Sequence, residues 1–250
     1  MIIKDGHNVT AEQATARISV IIVTYNIAGH LQNCLNSIYA QQYPAIDIIV
    51  IDGKSTDGTV QILQDNTDRI HFWLSEPDEG IYDAMNKALQ HISGQWVYFL
   101  GADDELLPDF STMAMQLKEP GTIYYSNVLA NGIKRSGLIS PYYMAKGGIY
   151  HQAIIYPKTV FDNYTYNTKY KIAADYALNM RLYKDKRFRF VYLDLIICNY
   201  NHTGISGREV DEAFEKDKTA LILSNFGFKI GIRYLFRLIK AALGVGKKPA

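Results

Sequence analysis

This chain is short of several things, and each shortage narrows what it can be. Of its 250 residues only two are cysteine, Cys34 and Cys198, far apart and without metal-type spacing. That is too few thiols for a disulfide framework or a cysteine-held zinc, and two buried thiols of a cytosolic protein are expected instead. No uncharged apolar stretch of about 18 residues occurs, and no basic segment leading into an apolar run opens the chain. Neither a membrane-spanning helix nor a secretory signal is therefore expected. Acidic residues are missing altogether after Asp217, whereas Lys218, Lys229, Arg233, Arg237, Lys240, Lys247 and Lys248 all follow it. Beneath an overall charge of +1, residues 1–217 thus hold 19 basic and 25 acidic side chains. The tail is a basic appendage on an acidic body, and no nucleic-acid partner is expected.

What is present describes an α/β protein. With 48% hydrophobic and 20% charged residues, the composition suits one sizeable core, and 19 tyrosines provide rings for packing and for sugar or base contacts. Ile18 to Val23 is a continuous apolar run suited to a central parallel strand, closed by Thr24-Tyr25-Asn26. Leu31, Cys34, Leu35 and Ile38 then recur at helical spacing, and a second strand runs from Ile46 to Ile51. Val60, Ile62 and Leu63 begin another helix, so strand and helix alternate as in βαβ units. A third strand is predicted from Ile70 to Leu74, a helix with Tyr82, Met85, Ala88 and Leu89 on one face, and a fourth strand from Trp96 to Leu100. Past Pro108 the pattern loosens to short strands at Ile123–Tyr125 and Ile154–Tyr156, a helix at Ala174–Tyr183 and a strand at Phe190–Ile197. The reading is a leader over 1–17, a nucleotide-binding half over 18–105, an acceptor and catalytic half of the same domain over 106–206, and a helical basic tail over 207–250.

The fourth strand delivers Gly101-Ala102-Asp103-Asp104-Glu105 to its carboxyl end. Ligands of open α/β sheets bind outside those ends, and adjacent carboxylates there suit Mg²⁺ or Mn²⁺ completed by substrate phosphates. A helix cap or a solvated loop would use the same residues. Turns after Val23, Ile51 and Leu100 follow three strands of one predicted sheet, so their side chains are expected to converge on a single cleft.

Five ordered segments carry a resemblance. They are Ser19-Val-Ile-Ile-Val-Thr-Tyr-Asn26, Ile51-Asp-Gly-Lys-Ser-Thr-Asp-Gly-Thr59, Glu76-Pro-Asp-Glu-Gly-Ile-Tyr-Asp-Ala-Met-Asn-Lys87, Gly94-Gln-Trp-Val-Tyr-Phe-Leu-Gly-Ala-Asp-Asp104 and Ala173-Ala-Asp-Tyr176. Together they resemble the family 2 inverting glycosyltransferases of the GT-A fold, from Ile18 to about Ser206. The nearest members are the non-processive bacterial enzymes of surface-polysaccharide and lipid-linked oligosaccharide synthesis. The Gln-x-x-Arg-Trp signature of the processive members is absent.

The resemblance implies a mainly parallel sheet with helices on both faces and a nucleotide-sugar donor, UDP-linked by the match at Asp52. It implies that Asp103 and Asp104 are the metal and ribose carboxylates, although Gly101 stands where many relatives have the first Asp of that motif. Asp52 matches the base-recognising carboxylate, an acceptor-only group that suits the uracil N3–H; an Asx-turn is its alternative reading. Tyr25 would lie beside the base plane, with the Val23 backbone at its edge. Asp175 matches the catalytic base, which takes the acceptor hydroxyl proton on the face opposite the leaving group; a helix cap is its alternative. Asp83 and Asn86, at i and i+3, would share a donor-pocket face, or serve local helix hydrogen bonds. His151-Gln152 resembles the start of the acceptor half, and His202 would reach the diphosphate or the metal from a closing loop; a structural role is the alternative for either histidine. Asp57 reads as a helix cap.

Two other classes are weighed against this one. A nucleotidyltransferase would want a Gly-rich, cationic first loop, which Val20 to Asn26 does not provide. A catalytically dead sugar-nucleotide binding module would have lost Asp175 or both metal carboxylates, and all three are present. In the tail, Phe228, Ile232, Leu235, Phe236, Ile239, Ala242 and Leu243 form one helical face, with Lys229, Arg233, Arg237 and Lys240 beside and behind it. Such a helix suits an anionic membrane surface or packs on the catalytic domain. The first alternative fits a saccharide acceptor carried on polyprenyl diphosphate, and a cytoplasmic protein held at the inner face of the membrane.

Overall fold

The structure is a computed structural model and describes residues 16–135, 137–201 and 209–243. Nearly all of the expected leader, and His202, therefore lie outside the described residues. In chain order the elements begin β1 (Ile18–Thr24), α1 (Ala28–Tyr39), β2 (Ile46–Asp52), α2 (Thr59–Asp65), β3 (Phe72–Ser75), α3 (Ile81–Ala88) and β4 (Trp96–Gly101). They continue with β5 (Glu105–Leu106), α4 (Asp109–Ala114), β6 (Thr122–Ala130), β7 (Ile133–Arg135), α5 (Pro141–Gly147) and β8 (Ile154–Pro157). Last come α6 (Ala174–Lys184), β9 (Arg189–Tyr200), α7 (Glu212–Phe226) and α8 (Phe228–Ala242).

All nine strands join one sheet in the order β3-β2-β1-β4-β8-β6-β9-β5, with β7 paired to β6 at the side. Strands β1 to β4 are mutually parallel, as the continuous apolar runs predict for strands covered on both faces. Val20, Ile21 and Ile22 of β1, and Ile49, Val50 and Ile51 of β2, are fully or almost fully buried. Both neighbours of β1 are reached in opposite directions along the sheet, β2 on one side and β4 on the other, so the topological switch falls between β1 and β4. Such a switch opens a crevice at the strand ends.

The second half turns the sheet mixed. Strand β8 runs antiparallel to both β4 and β6, and β6 and β9 are parallel. Strand β6 continues past the predicted end at Tyr125 because Ser126 and Asn127 bridge an irregularity in its pairing with β9. Ser126 Oγ donates to the carbonyls of Leu193 and Leu195, and Asn127 Nδ2 donates to Leu195 O. Ser126 and Asn127, beyond the predicted strand, are thus buried rungs of the sheet. The predicted helix at Ala174 is observed as α6, capped by Ala173 rather than by Asp175, which sits in its first turn. Both cysteines are free and buried.

The C-terminal helices form a hairpin through Gly227, which joins α7 to α8. Gly231 and Tyr234 of α8 are buried, and a Cβ on Gly231 would collide with Leu223 of α7. The predicted stripe faces elsewhere: Phe228 and Leu243 are 76% and 71% exposed, and Phe236 and Ile239 are exposed as well. Only its middle, Ile232 and Leu235, is half-buried. No helix among the described residues is long and apolar enough to cross a membrane.

Candidate active site

Four adjacent strands end at one level. Ser75 pairs with Asp52, Asp52 with Thr24, and Val23 with Gly101, so the carboxyl edge of β3, β2, β1 and β4 forms a continuous row. The turns after β1 and β2 are laced together. Asn26, at φ +49°, donates from its backbone N to Ser55 Oγ and accepts the Thr56 N–H on Oδ1. Asp57 then receives Ala28 N of α1 on one oxygen and Thr59 N of α2 on the other, so it steadies the start of α2, the helix the sequence predicts it to cap, and the start of α1 as well. The Thr59 hydroxyl, which donates to Oδ1 at 2.6 Å, and then these backbone bonds hold its carboxyl below the usual range. The lacing leaves Tyr25 on top of the row, with 69% of its surface exposed.

Asp52 is fully buried under that surface. Its Oδ1 accepts from Thr24 Oγ1 at 2.9 Å and from Ser55 Oγ; its Oδ2 accepts from Ser55 N at 2.9 Å and Ser75 Oγ at 2.7 Å. Two donors on each oxygen fill the acceptor capacity of a carboxylate. Its backbone donor, Ser55 N, is three residues on rather than the two of an Asx-turn, so Asp52 ties the turn after β2 to β1 and β3 at the floor of the strand-end row.

At the end of β4 the two aspartates separate in environment. Asp104 is 1% exposed; its Oδ1 accepts Asn201 N at 2.7 Å and its Oδ2 accepts Gln152 Nε2 at 2.9 Å. Burial pushes its carboxyl up to about 7, opposed by those bonds and assisted by the charge of Asp103. Asp103 is half-buried beside it. A Cβ on Gly101 would collide with Asp104 Oδ2 and lie 3.2 Å from Asp103 Oδ1, so both carboxylates fold back over this position. That explains why glycine stands here. Among the described residues no group of three or more His, Cys, Asp or Glu is placed to hold a metal without help from a ligand. One or two carboxylates completed by substrate phosphates is nonetheless the usual protein share of a Mg²⁺-type shell, and the Asp103–Asp104 pair fits it.

Asp175 comes from the other half of the sheet. Its Oδ1 accepts the Tyr82 hydroxyl at 2.6 Å, and the same hydroxyl is 2.8 Å from Ile172 O. Tyr82 lies on α3, so this contact ties α3 to the first turn of α6. Burial and the Asp175 charge raise the Tyr82 hydroxyl well above its usual value, which keeps it a donor. Asp211, the N-cap of α7, accepts from Ile172 N at 2.8 Å and Ala173 N at 3.1 Å while capping Phe214 N. The chain leading into Asp175 is held from both sides.

Three other predicted residues have protein partners of their own. Asn86 exchanges two hydrogen bonds of 2.9 Å with the backbone of Tyr166, which pins the 160s loop to α3. Asp83 accepts Glu79 N and pairs with Lys87 at 3.4 Å, so the local-helix reading describes it. His151 stacks on Phe99 at 4.8 Å and meets the Tyr166 hydroxyl at 2.9 Å; burial lowers its pKa and keeps the ring neutral. The partners that sequence reasoning did not assign are Tyr82 and Gln152, which touch Asp175 and Asp104, and Asp211, which holds the backbone before Asp175; all three act through tertiary contacts.

The fold that carries this row of strand ends recurs in solved structures. TarS 1–349 of S. aureus in complex with UDP-GlcNAc superposes with a TM-score of 0.68 at 19% identity, over 84% of this chain and 67% of that one. A Pyrobaculum calidifontis mannosyltransferase, PcManGT, in complex with GDP-Man and Mn²⁺ gives 0.60 at 18% identity, over 95% and 67%. The fold is that of the GT-A glycosyltransferases. The family model "Glycosyl transferase family 2" matches residues 19–191, and the chain belongs to that family; it is a glycosyltransferase. A Mycobacterium bovis "PGL/p-HBAD biosynthesis glycosyltransferase" is 31% identical over 240 residues, 91% of each chain.

Proposed function

We propose that this protein moves a single sugar, with inversion at C1, from a UDP-linked donor to a saccharide or a polyprenyl-diphosphate-linked saccharide in surface-polysaccharide synthesis. The observation that carries the reading is Asp175, whose Oδ1 is occupied by Tyr82 while Oδ2 has no donor among the described residues. A carboxylate steadied on one oxygen and open on the other is arranged to take a proton. The acceptor O–H proton passes to Asp175 as that oxygen bonds to C1. The bond from C1 to the diphosphate oxygen breaks, and the diphosphate leaves with the electron pair. A divalent ion, Mn²⁺ or Mg²⁺, would be held by Asp103 with Asp104 beneath it, and would neutralise the charge gained by the leaving diphosphate. Tyr25 offers a ring to the base, and the Val23 backbone borders the same space.

A screen of nucleotide sugars tests the reading. With Mn²⁺ present, a UDP-sugar is expected to raise the melting temperature and to be hydrolysed slowly, since a ligand held by the native state alone stabilises it. No response to any nucleotide sugar, with or without metal, overturns the proposal.

We further place the protein at the inner face of the cytoplasmic membrane, through α8. The exposed Phe228, Phe236, Ile239 and Leu243, together with Lys229, Arg233, Arg237 and Lys240, suit an anionic lipid surface. In vesicle flotation the wild type is expected to rise with anionic vesicles, and the double variant Phe236→Glu/Ile239→Glu to stay below. Equal flotation of both, or none by either, rules out this anchor.

A further inference from the structure

We propose that Asp78 is the carboxylate that reads the nucleobase, a specificity residue of the donor site; this rests on the nucleotide-sugar reading above. The starting point is an apparent contradiction at the floor of the cleft. Asp52 has the right chemistry for an imino N–H, but it is fully buried and carries two donors on each oxygen. To reach a base it would have to abandon the turn it holds. The residue above it has no side chain at all: Gly53, whose backbone N donates to Thr24 O at 2.8 Å.

The space left by Gly53 is filled from another strand. A Cβ built on Gly53 would lie 2.6 Å from Asp78 Oδ2 and 3.3 Å from Tyr25 Cδ2, so the Asp78 carboxylate and the Tyr25 ring edge meet over this one residue. The chain is steered there by Glu76 N, which donates to Asp52 O at 2.9 Å and extends the β2–β3 pairing past Ser75. Asp78 is then set in rotation by its own turn, because Oδ1 accepts Gly80 N at 2.9 Å. Oδ2 has no donor among the described residues. An open acceptor oxygen thus lies beside an exposed aromatic ring on the strand-end row.

The chemistry of that pair selects among bases. A carboxylate oxygen accepts from the N3–H of uracil, whereas cytosine offers N3 as an acceptor and is repelled. Discrimination of this kind is large, because a mismatched base leaves a charged acceptor facing a lone pair.

Calorimetric titration with UDP and with CDP in the presence of Mn²⁺ tests the assignment. Wild type is expected to favour UDP by about tenfold or more. In Asp78→Asn the turn is retained, since Asn Oδ1 still accepts Gly80 N, and the amide nitrogen must then occupy the Oδ2 position. UDP should weaken by about tenfold and CDP should tighten, so the preference is lost or reversed. In Asp78→Ala the UDP advantage should fall to within about twofold. A preference unchanged in both variants overturns the proposal, as does a wild type that favours CDP, and neither result touches the glycosyltransferase reading. Loss of the preference in Asp52→Asn at an unchanged melting temperature, with Asp78→Asn behaving as wild type, returns the role to Asp52. A wild type that binds neither nucleotide defeats the donor reading itself, and this is seen before any variant is made.

Discussion

Asp175→Asn is expected to lower turnover by about two to four powers of ten while leaving donor affinity nearly unchanged. The substitution keeps the size of the side chain and the oxygen that accepts the Tyr82 hydroxyl, so the local geometry at the start of α6 survives. What it removes is the lone pair that takes the acceptor proton. The measurement is kcat with saturating acceptor, alongside the dissociation constant of the donor. Comparable turnover in the variant sinks the catalytic role. Retained anomeric configuration in the product sinks the inverting mechanism, because one base on the face opposite the leaving group yields inversion. A helpful companion is Tyr82→Phe, in which Asp175 loses its 2.6 Å donor but keeps its charge. If Tyr82 positions Asp175, its loss should lower kcat by less than loss of the base.

Metal-dependent donor binding should be lost with Asp103. Asp103→Asn is expected to weaken the UDP complex by about tenfold or more in Mn²⁺ and to change it little in a chelator. Asp104→Asn should weaken it too, but by a different route. Both Asp104 oxygens accept N–H groups, from Asn201 and Gln152, and an amide in that place turns one of those contacts into donor against donor. The loss of a buried acceptor costs about 1–3 kcal/mol, so this variant should melt earlier as well as bind more weakly. Asp103 is half-buried, and its variant should lose less of its melting temperature than Asp104→Asn does. Wild-type UDP affinity with wild-type metal dependence in the double Asn variant would show that the pair does not hold the ion.

The local signals were plain where one segment determines its own structure. Continuous apolar runs announce strands covered on both faces, so β1, β2 and β4 were readable to within a residue or two, and the row of turns at their ends followed. Asp57 was readable as a cap for the same reason, because a cap is satisfied by its neighbours in sequence. Helix α5 was missed although Ser140-Pro141 announces it, with Ser140 Oγ accepting Tyr143 N and Pro at the first position. Helix α7 was foreseen only as part of a helical tail; nothing in its apolar pattern marks one buried face.

Between the composition and the row of motifs, the sequence by itself determined the parallel half-sheet, the helical tail and the set of carboxylates from which a glycosyl-transfer site could be built. Only the tertiary structure decided what each carboxylate faces. Asp52 and Asp78 are 26 positions apart in the chain and belong to different strand ends, yet one is sealed by Thr24, Ser55 and Ser75 and the other opens over Gly53. Asp103 and Asp104 are adjacent, and both fold back over Gly101, but only Asp104 is buried, where it accepts from Gln152 and Asn201. A carboxylate's role depends on how many of its lone pairs the fold has already used. That number is set by donors brought from distant strands, and no local pattern records it.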